Sequence, residues 1–149
     1  MRNIVVPVDF GDFSKRIINF SIDYAKNKNV KLYFIHVLPL DMSYVVGDMG
    51  MQYVHGVQGK MVEDKIELLQ ELTDFIKEKN IAYEIEVIQG VASDTILEKA
   101  KEVDAELILI GSHGHGVLYE ALVGSVTHDV LKITDIPVLI VPDKYRTKE

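Results

Sequence analysis

Residues 107 to 131, Leu-Ile-Leu-Ile-Gly-Ser-His-Gly-His-Gly-Val-Leu-Tyr-Glu-Ala-Leu-Val-Gly-Ser-Val-Thr-His-Asp-Val-Leu, constrain this chain more than any other stretch. A short apolar run, Leu107 to Ile110, stops at Gly111, with Gly114 and Gly116 close behind. A second stop, Gly124-Ser125, precedes an apolar rhythm of helical spacing in Val126, Val130 and Ile133. A strand, a glycine loop and a helix N-terminus in succession let backbone N–H groups close around an anion. The glycines are expected because such a loop turns with φ > 0 and admits oxygens close to bare backbone. Ser125, at the helix mouth, suits either a helix cap or a hydrogen bond to the anion.

The rest of the chain supplies a frame for that unit. Ile4-Val5-Val6-Pro7-Val8-Asp9 reads as a first strand, too continuously apolar for a surface position, with Pro7 near its end. Asp12 or Ser14 is expected to cap a helix whose apolar face runs Phe13, Ile17, Phe20, Tyr24. Lys31 to Leu38 is the second strand. Residues 40–59 show no clear periodicity and hold four glycines and three methionines, which reads as a long loop, either a lid or a surface insertion. A helix over residues 60–79 presents Val62, Ile66, Leu69, Leu72 and Ile76 on one face, with charges such as Lys65 on its solvated side. Residues 82–88 alternate Tyr83, Ile85 and Val87 against Glu84 and Glu86, as an edge strand does. Ser93 or Asp94 opens a short helix carrying Ile96, Ala100 and Val103. A last strand, Val138 to Val141, lies between Pro137 and Pro142.

This is β-α-β-α-β-α-β-α-β, a single domain over residues 1–149. Alternation with buried strands predicts an α/β fold, a parallel sheet with helices on both faces. Ligands in such sheets sit beyond the strand C-termini where the winding reverses. If Asp9 and the glycine loop serve one site, strands 1 and 4 are neighbours. The order of the five-stranded sheet is then 3-2-1-4-5, which leaves the Glu-bearing strand 3 on an edge.

Composition narrows the partners. Net charge is −7 without a dense Lys/Arg cluster, which argues against nucleic acid or an anionic membrane. The absence of cysteine excludes disulfides and thiolate metal sites. No apolar run approaches the roughly 18 residues of a membrane helix, and a strand beginning by Asn3 leaves no room for a signal peptide, so a cytoplasmic protein is expected.

Gly111, two residues, Gly114, nine residues, then Gly124-Ser125, followed by Ile-Pro-Val-Leu-Ile-Val-Pro, resembles the signature of the ATP-binding branch of the universal stress proteins, and the resemblance spans the whole chain. It implies a Rossmann-like adenine nucleotide alpha hydrolase-like fold with the same strand order. It also implies a nucleotide pocket built from Pro7, Val8 and Asp9, from Val37, from Ile110, Gly111, Gly114 and the backbone of His115, and from Gly124, Ser125 and Val126. Val37 and Pro7 offer a flat wall for adenine, Asp9 an acceptor for ribose or base, and the glycine amides with Ser125 a seat for phosphates. The competing reading of Asp9 is a turn residue capping helix 1. The chain departs from the family pattern at Gly11-Asp12 and at His115. No Lys or Arg occurs between Lys101 and Lys132, so the charge of ATP or another adenine nucleotide must be met by N–H dipoles and a divalent metal, Mg or Mn.

Other motifs fail. Gly111 to Gly116 has P-loop length, but Val117-Leu118 stands where Lys-Ser/Thr is required, and only Gly11 follows strand 1 where a dinucleotide fingerprint belongs. His113, His115 and His128 have the chemistry of a transition-metal site, although solvated loop histidines are the commoner explanation. His36 reads as a packed, hydrogen-bonded histidine. No general base, arginine finger or γ-phosphate lysine is evident, so a nucleotide-binding regulatory module read by a protein partner is favoured. The alternatives are a slow ATPase or phosphotransferase and a carrier of metal or another small ligand. Finally, Val138, Leu139, Ile140 and Val141 form an apolar strand on a sheet edge, which predicts a homodimer through strand 5, the assembly the resemblance also implies.

Overall fold

The computed structural model describes residues 1–39, 50–112 and 123–143, with 50–58 described by backbone alone. Five strands, β1 (Arg2–Pro7), β2 (Val30–Leu38), β3 (Ala82–Gln89), β4 (Ala105–Gly111) and β5 (Val138–Val141), alternate with four helices, α1 (Ser14–Ala25), α2 (Gly50–Thr73), α3 (Ala92–Glu102) and α4 (Ser125–Ile133). A 3-10 segment, Asp74–Lys79, continues α2. Every strand pairing is parallel and the order is β3-β2-β1-β4-β5, as the shared-site argument requires.

Alternation along the central strands divides the core in two. Ile4 and Val6 of β1, Leu32 and Phe34 of β2 and Leu109 of β4 face α1, α2 and the 3-10 segment, meeting Ile17, Ile18, Ile22, Leu69 and Ile76. Val5, Ile35, Ile108 and Ile110 point the other way, onto Ile96, Leu97 and Ala100 of α3 and Val130 of α4. Strands buried on both faces have no polar positions to spare, which is why β1 and β4 read as unbroken apolar runs.

Three local expectations change. The sheet-facing stripe of α1 is Ser14, Ile17, Ile18, Ser21, Ile22 and Ala25, with Phe13, Phe20 and Tyr24 only partly buried beside it. Small residues on the contact line let the helix lie close to the sheet, and the aromatics close the rim. Neither Asp12 nor Ser14 caps α1, nor do Ser93 and Asp94 cap α3: the cap positions are Phe13 and Val91, without side-chain bonds. The helix expected from residue 60 already begins at Gly50, so half of the 40–59 loop is helical, while residues 40–49 lie outside the described residues. Glycine disfavours a helix by about 1 kcal/mol each. A helix nucleated downstream nevertheless gains a hydrogen bond for each added residue, and propagation absorbs Gly56 and Gly59.

Edge strand β3 carries its charges outward, where Glu84 pairs with Lys31 and Glu86 with Lys99 of α3, Nζ to Oε2 2.5 Å. Burial of the Lys99 ammonium pulls its pKa down. The carboxylates of Glu86 and Glu102 more than offset that, and the net shift is upward. Among the described residues no helix is long and apolar enough to cross a membrane.

The two-sided core gives a direct test. Phe34, 0% exposed, sits on the interior strand β2, and Phe34→Ala should lower stability by about 3–5 kcal/mol. Leu131, 44% exposed on α4, should tolerate alanine within about 0.5 kcal/mol. Urea unfolding of both variants measures the contrast.

Candidate functional site

The C-terminal ends of β1 and β4 lie side by side, and the chain reverses there. To one side of them β2 follows β1, and to the other β5 follows β4. The N-terminus of α4 is tied to this edge. Gly124 N–H donates to the Ser112 carbonyl at 2.6 Å, and Thr127 Oγ1 donates to the Gly111 carbonyl at 2.8 Å. Ser112 also joins β5, since its N–H donates to the Val141 carbonyl and its Oγ accepts from Asp143 N–H. Gly124, extended at φ −66° and ψ 163°, is the N-cap of α4, and no side chain caps it. Ser125 is thus the first helical residue and not the cap. It and Val126 are exposed at the helix mouth.

The proposed pocket residues divide by how much of each faces outward. Val5 and Ile110 pack on the α3/α4 side of the sheet, and alternation puts Pro7 on that side as well, together with half-buried Val37. Pro7, Val37, Ile110 and the mouth of α4 therefore share one face. Val8 belongs to the opposite core cluster and is 5% exposed. Its N–H donates to Ile35 and its carbonyl accepts from His36, so it serves chiefly as packing. Gly114 and His115, like His113, lie outside the described residues.

Asp9 holds a turn, as one reading expects, but does not cap α1, whose cap position is Phe13. Its Oδ1 accepts from Gly11 N–H at 2.9 Å and from Ser14 Oγ at 3.1 Å, which fixes the entry to α1. A Cβ at Gly11 would come within 3.2 Å of the same Oδ1, so the glycine gives that carboxylate room. Gly111 has a different reason from the one expected. Its φ is not in the left-handed region, and a Cβ there would meet Ile17 Cδ1 at 3.1 Å and Phe13 Cδ1 at 3.2 Å. It is glycine because α1 crosses close to the end of β4.

Between Asp9 and Gly11, Phe10 holds φ 63°, a conformation bulky residues rarely adopt. Its ring is held at 4.4 Å from the His36 ring, and Lys65 Nζ of α2 stands 5.1 Å from its centroid. Lys65, Thr127 and Ser112 are the residues the sequence reading missed at this edge. Periodicity assigned Lys65 to solvent, and only the third-residue placement of Thr127 in α4 hinted at its role. His128 lies beside its neighbour Asp129, Nδ1 to Oδ1 3.5 Å, and among the described residues no three His, Asp or Glu side chains gather as a metal cluster.

The surroundings of His36 favour its neutral form. Burial lowers its pKa from the usual 6.5, helped by Lys65, while the bond to the Val8 carbonyl and the charge of Asp9 act against the shift.

Comparison with known proteins gives one consistent result. Residues 1–142 match the model of the universal stress protein family. Universal stress protein MJ0531 of Methanocaldococcus jannaschii is 30% identical over 140 residues, covering 94% of this chain and 81% of that protein. The solved structure of MJ0577 from the same organism superposes with a TM-score of 0.85 at 22% identity, covering 97% of this chain and 98% of the other. A universal stress protein from Archaeoglobus fulgidus, solved in complex with dAMP, superposes at 0.66 with 26% identity over 94% of this chain and 97% of its own.

The His36 environment predicts an acid-side loss of stability. Between the lowered folded pKa and the usual 6.5, the unfolded chain holds a proton that the folded chain does not, so stability falls as pH drops through that window. His36→Asn, whose amide can keep the bond to Val8, should remove that part of the slope. Urea midpoints from about pH 7.5 to 5 for both proteins provide the measurement.

Proposed function

The chain belongs to the universal stress protein family, and from that premise we propose that it binds an adenine nucleotide in the crevice between the C-terminal ends of β1 and β4. The observation that carries this reading is the uncapped N-terminus of α4, anchored to the end of β4 by Gly124 and Thr127. A helix start held in place with glycine at its N-cap, among the described residues without a side-chain cap, suits N–H dipoles turned to an anion. Pro7 and Val37 share its face of the sheet and supply apolar wall for a base. The dAMP complex of the Archaeoglobus fulgidus relative supports the ligand class.

In this reading Gly124, Ser125 and Val126 receive the phosphates, and Gly111, Gly114 and His115 contribute backbone. Asp9 reaches a ribose or base donor only while it also holds the α1 entry. The donor set suits ATP with Mg or Mn carried on the phosphate oxygens, because the α4 edge brings dipoles and no cation of its own. Binding without rapid turnover follows. A transferring phosphoryl group needs charge neutralisation that neither β4 nor α4 supplies, so the nucleotide acts as a regulatory ligand read by a partner.

The reading extends to assembly. β5 lies on the sheet edge with Val138, Leu139 and Ile140 only half-buried, and an apolar edge of that kind is a template for pairing. A second copy pairing β5 to β5 about a two-fold axis covers it.

Two measurements test these proposals. Calorimetry with ATP, ADP and AMP in the presence of Mg²⁺ should give saturable binding. Ser125→Asp introduces an acid where a helix start favours one but repels phosphate, so it should weaken binding by about tenfold or more with no loss of stability. An absence of heat with all three nucleotides on nucleotide-free protein contradicts the site. Light scattering should give twice the 16.8 kDa chain mass, and a monomer mass at micromolar concentration refutes the β5 pairing.

A further inference from the structure

At the opposite end of the sheet, two connections enclose a cleft of about 890 Å³: the turn from α1 into β2 and the turn from the 3-10 segment into β3. Lys26, Lys28, Lys77 and Lys79 line it together with Asn27 and Asn80, and no Asp or Glu is among its lining residues. This occurs in a chain of net charge −7, in which carboxylates outnumber cations by 23 to 16. Both asparagines sit at positive φ, 59° and 54°, as the corner residues of the two turns that carry the lysines.

The helix ends explain part of this charge. Lys26 and Lys77 each pair back to an acid one turn earlier, Asp23 at 2.6 Å and Asp74 at 2.5 Å, and cations at helix C-termini are favourable. That does not explain Lys28, which lies beyond the end of α1 with its ammonium 3.4 Å from the centre of the Tyr24 ring. Nor does it explain why two separate helix ends bring their lysines to a single cleft whose lining includes no Asp or Glu, the Asp23 and Asp74 partners standing behind Lys26 and Lys77.

We propose that this cleft is a second binding site, for a small oligophosphate. Four ammonium groups without a guanidinium fork, Lys28 and Lys79 beside the ion-paired Lys26 and Lys77, act as point charges, which suits tetrahedral phosphates better than the planar, bidentate geometry of a carboxylate. The volume lies within the roughly 300–1,000 Å³ of small-ligand sites. Because the cleft is open and screened by salt, a single phosphate binds poorly, and several linked phosphates are needed to engage cations from both turns at once. The site does not rest on the nucleotide reading. β2 spans the nine residues between the two ends of the sheet, a separation of roughly 26 Å at the rise of a strand.

The test is a titration of the isotope-labelled full chain with inorganic tripolyphosphate, and separately with ATP, followed by amide NMR shifts. Tripolyphosphate should move the amides of residues 26–30 and 79–82, saturably and more weakly at high salt. The double variant Lys28→Gln/Lys79→Gln should weaken this by about tenfold or more, whereas Lys15→Gln/Lys60→Gln, on exposed lysines outside the cleft, should not. Unchanged melting of the first variant separates ligand contact from helix-end support. ATP moving these amides as tightly as tripolyphosphate identifies the phosphate chain alone as the ligand, and tighter binding by ATP adds recognition of the nucleoside. No shift at the cleft, or equal binding by the Lys28/Lys79 variant, overturns the proposal. Shifts confined to Gly111, Ser112, Gly124 and Ser125 also overturn it and leave the crevice reading standing. Loss of response at those four alone overturns the crevice instead.

Discussion

The structure depends on how α4 is fastened to the end of β4. Gly124 N–H and Thr127 Oγ1 both donate to the carbonyls that follow Ile110, and Ser112 extends the same tie to Val141 and Asp143 beyond β5. Each such bond contributes only about 0.5–1.5 kcal/mol net. Their value is positional. They set the start of a helix against a sheet edge with a residue that has no side chain, Gly124, at its N-cap, so the same residues that close the β4–β5 layer fix where α4 begins.

The opposite wall is built by tension of a different kind. Asp9 turns back on Gly11 and Ser14, and Phe10 is forced into a left-handed conformation between them. Strain of about 1–3 kcal/mol at a bulky residue persists only where its surroundings fix it. Here His36 and Lys65 fix the Phe10 ring. A buried histidine thus supports the corner at which β1 hands the chain to α1.

Much of this was legible in the sequence, for identifiable reasons. Strand order followed from placing Asp9 and the glycine loop at one crevice, and β3 declared itself an edge through Glu84 and Glu86. The α1 stripe was misplaced by about one residue because hydrophobicity alone favoured Phe20 and Tyr24, whereas close helix–sheet contact selects Ser14, Ser21 and Ala25. Helix α2 hid its first turns behind Gly56 and Gly59, since propensity carries no information about propagation from a stable segment. Gly111 was read correctly as a necessary glycine with the wrong cause, because its neighbours Phe13 and Ile17 are nearly a hundred positions away in sequence. The lysine cleft was invisible for the same reason: its two halves are separated by some fifty residues, and the net charge points the other way.

A crystal structure of the protein grown with ATP and Mg²⁺ shows whether the crevice at the mouth of α4 takes an adenine nucleotide. The base is expected against Pro7 and Val37 and the phosphates on the amides of Gly124, Ser125 and Val126. A fully occupied nucleotide seated anywhere else, or an empty crevice at concentrations that saturate binding in solution, would contradict it.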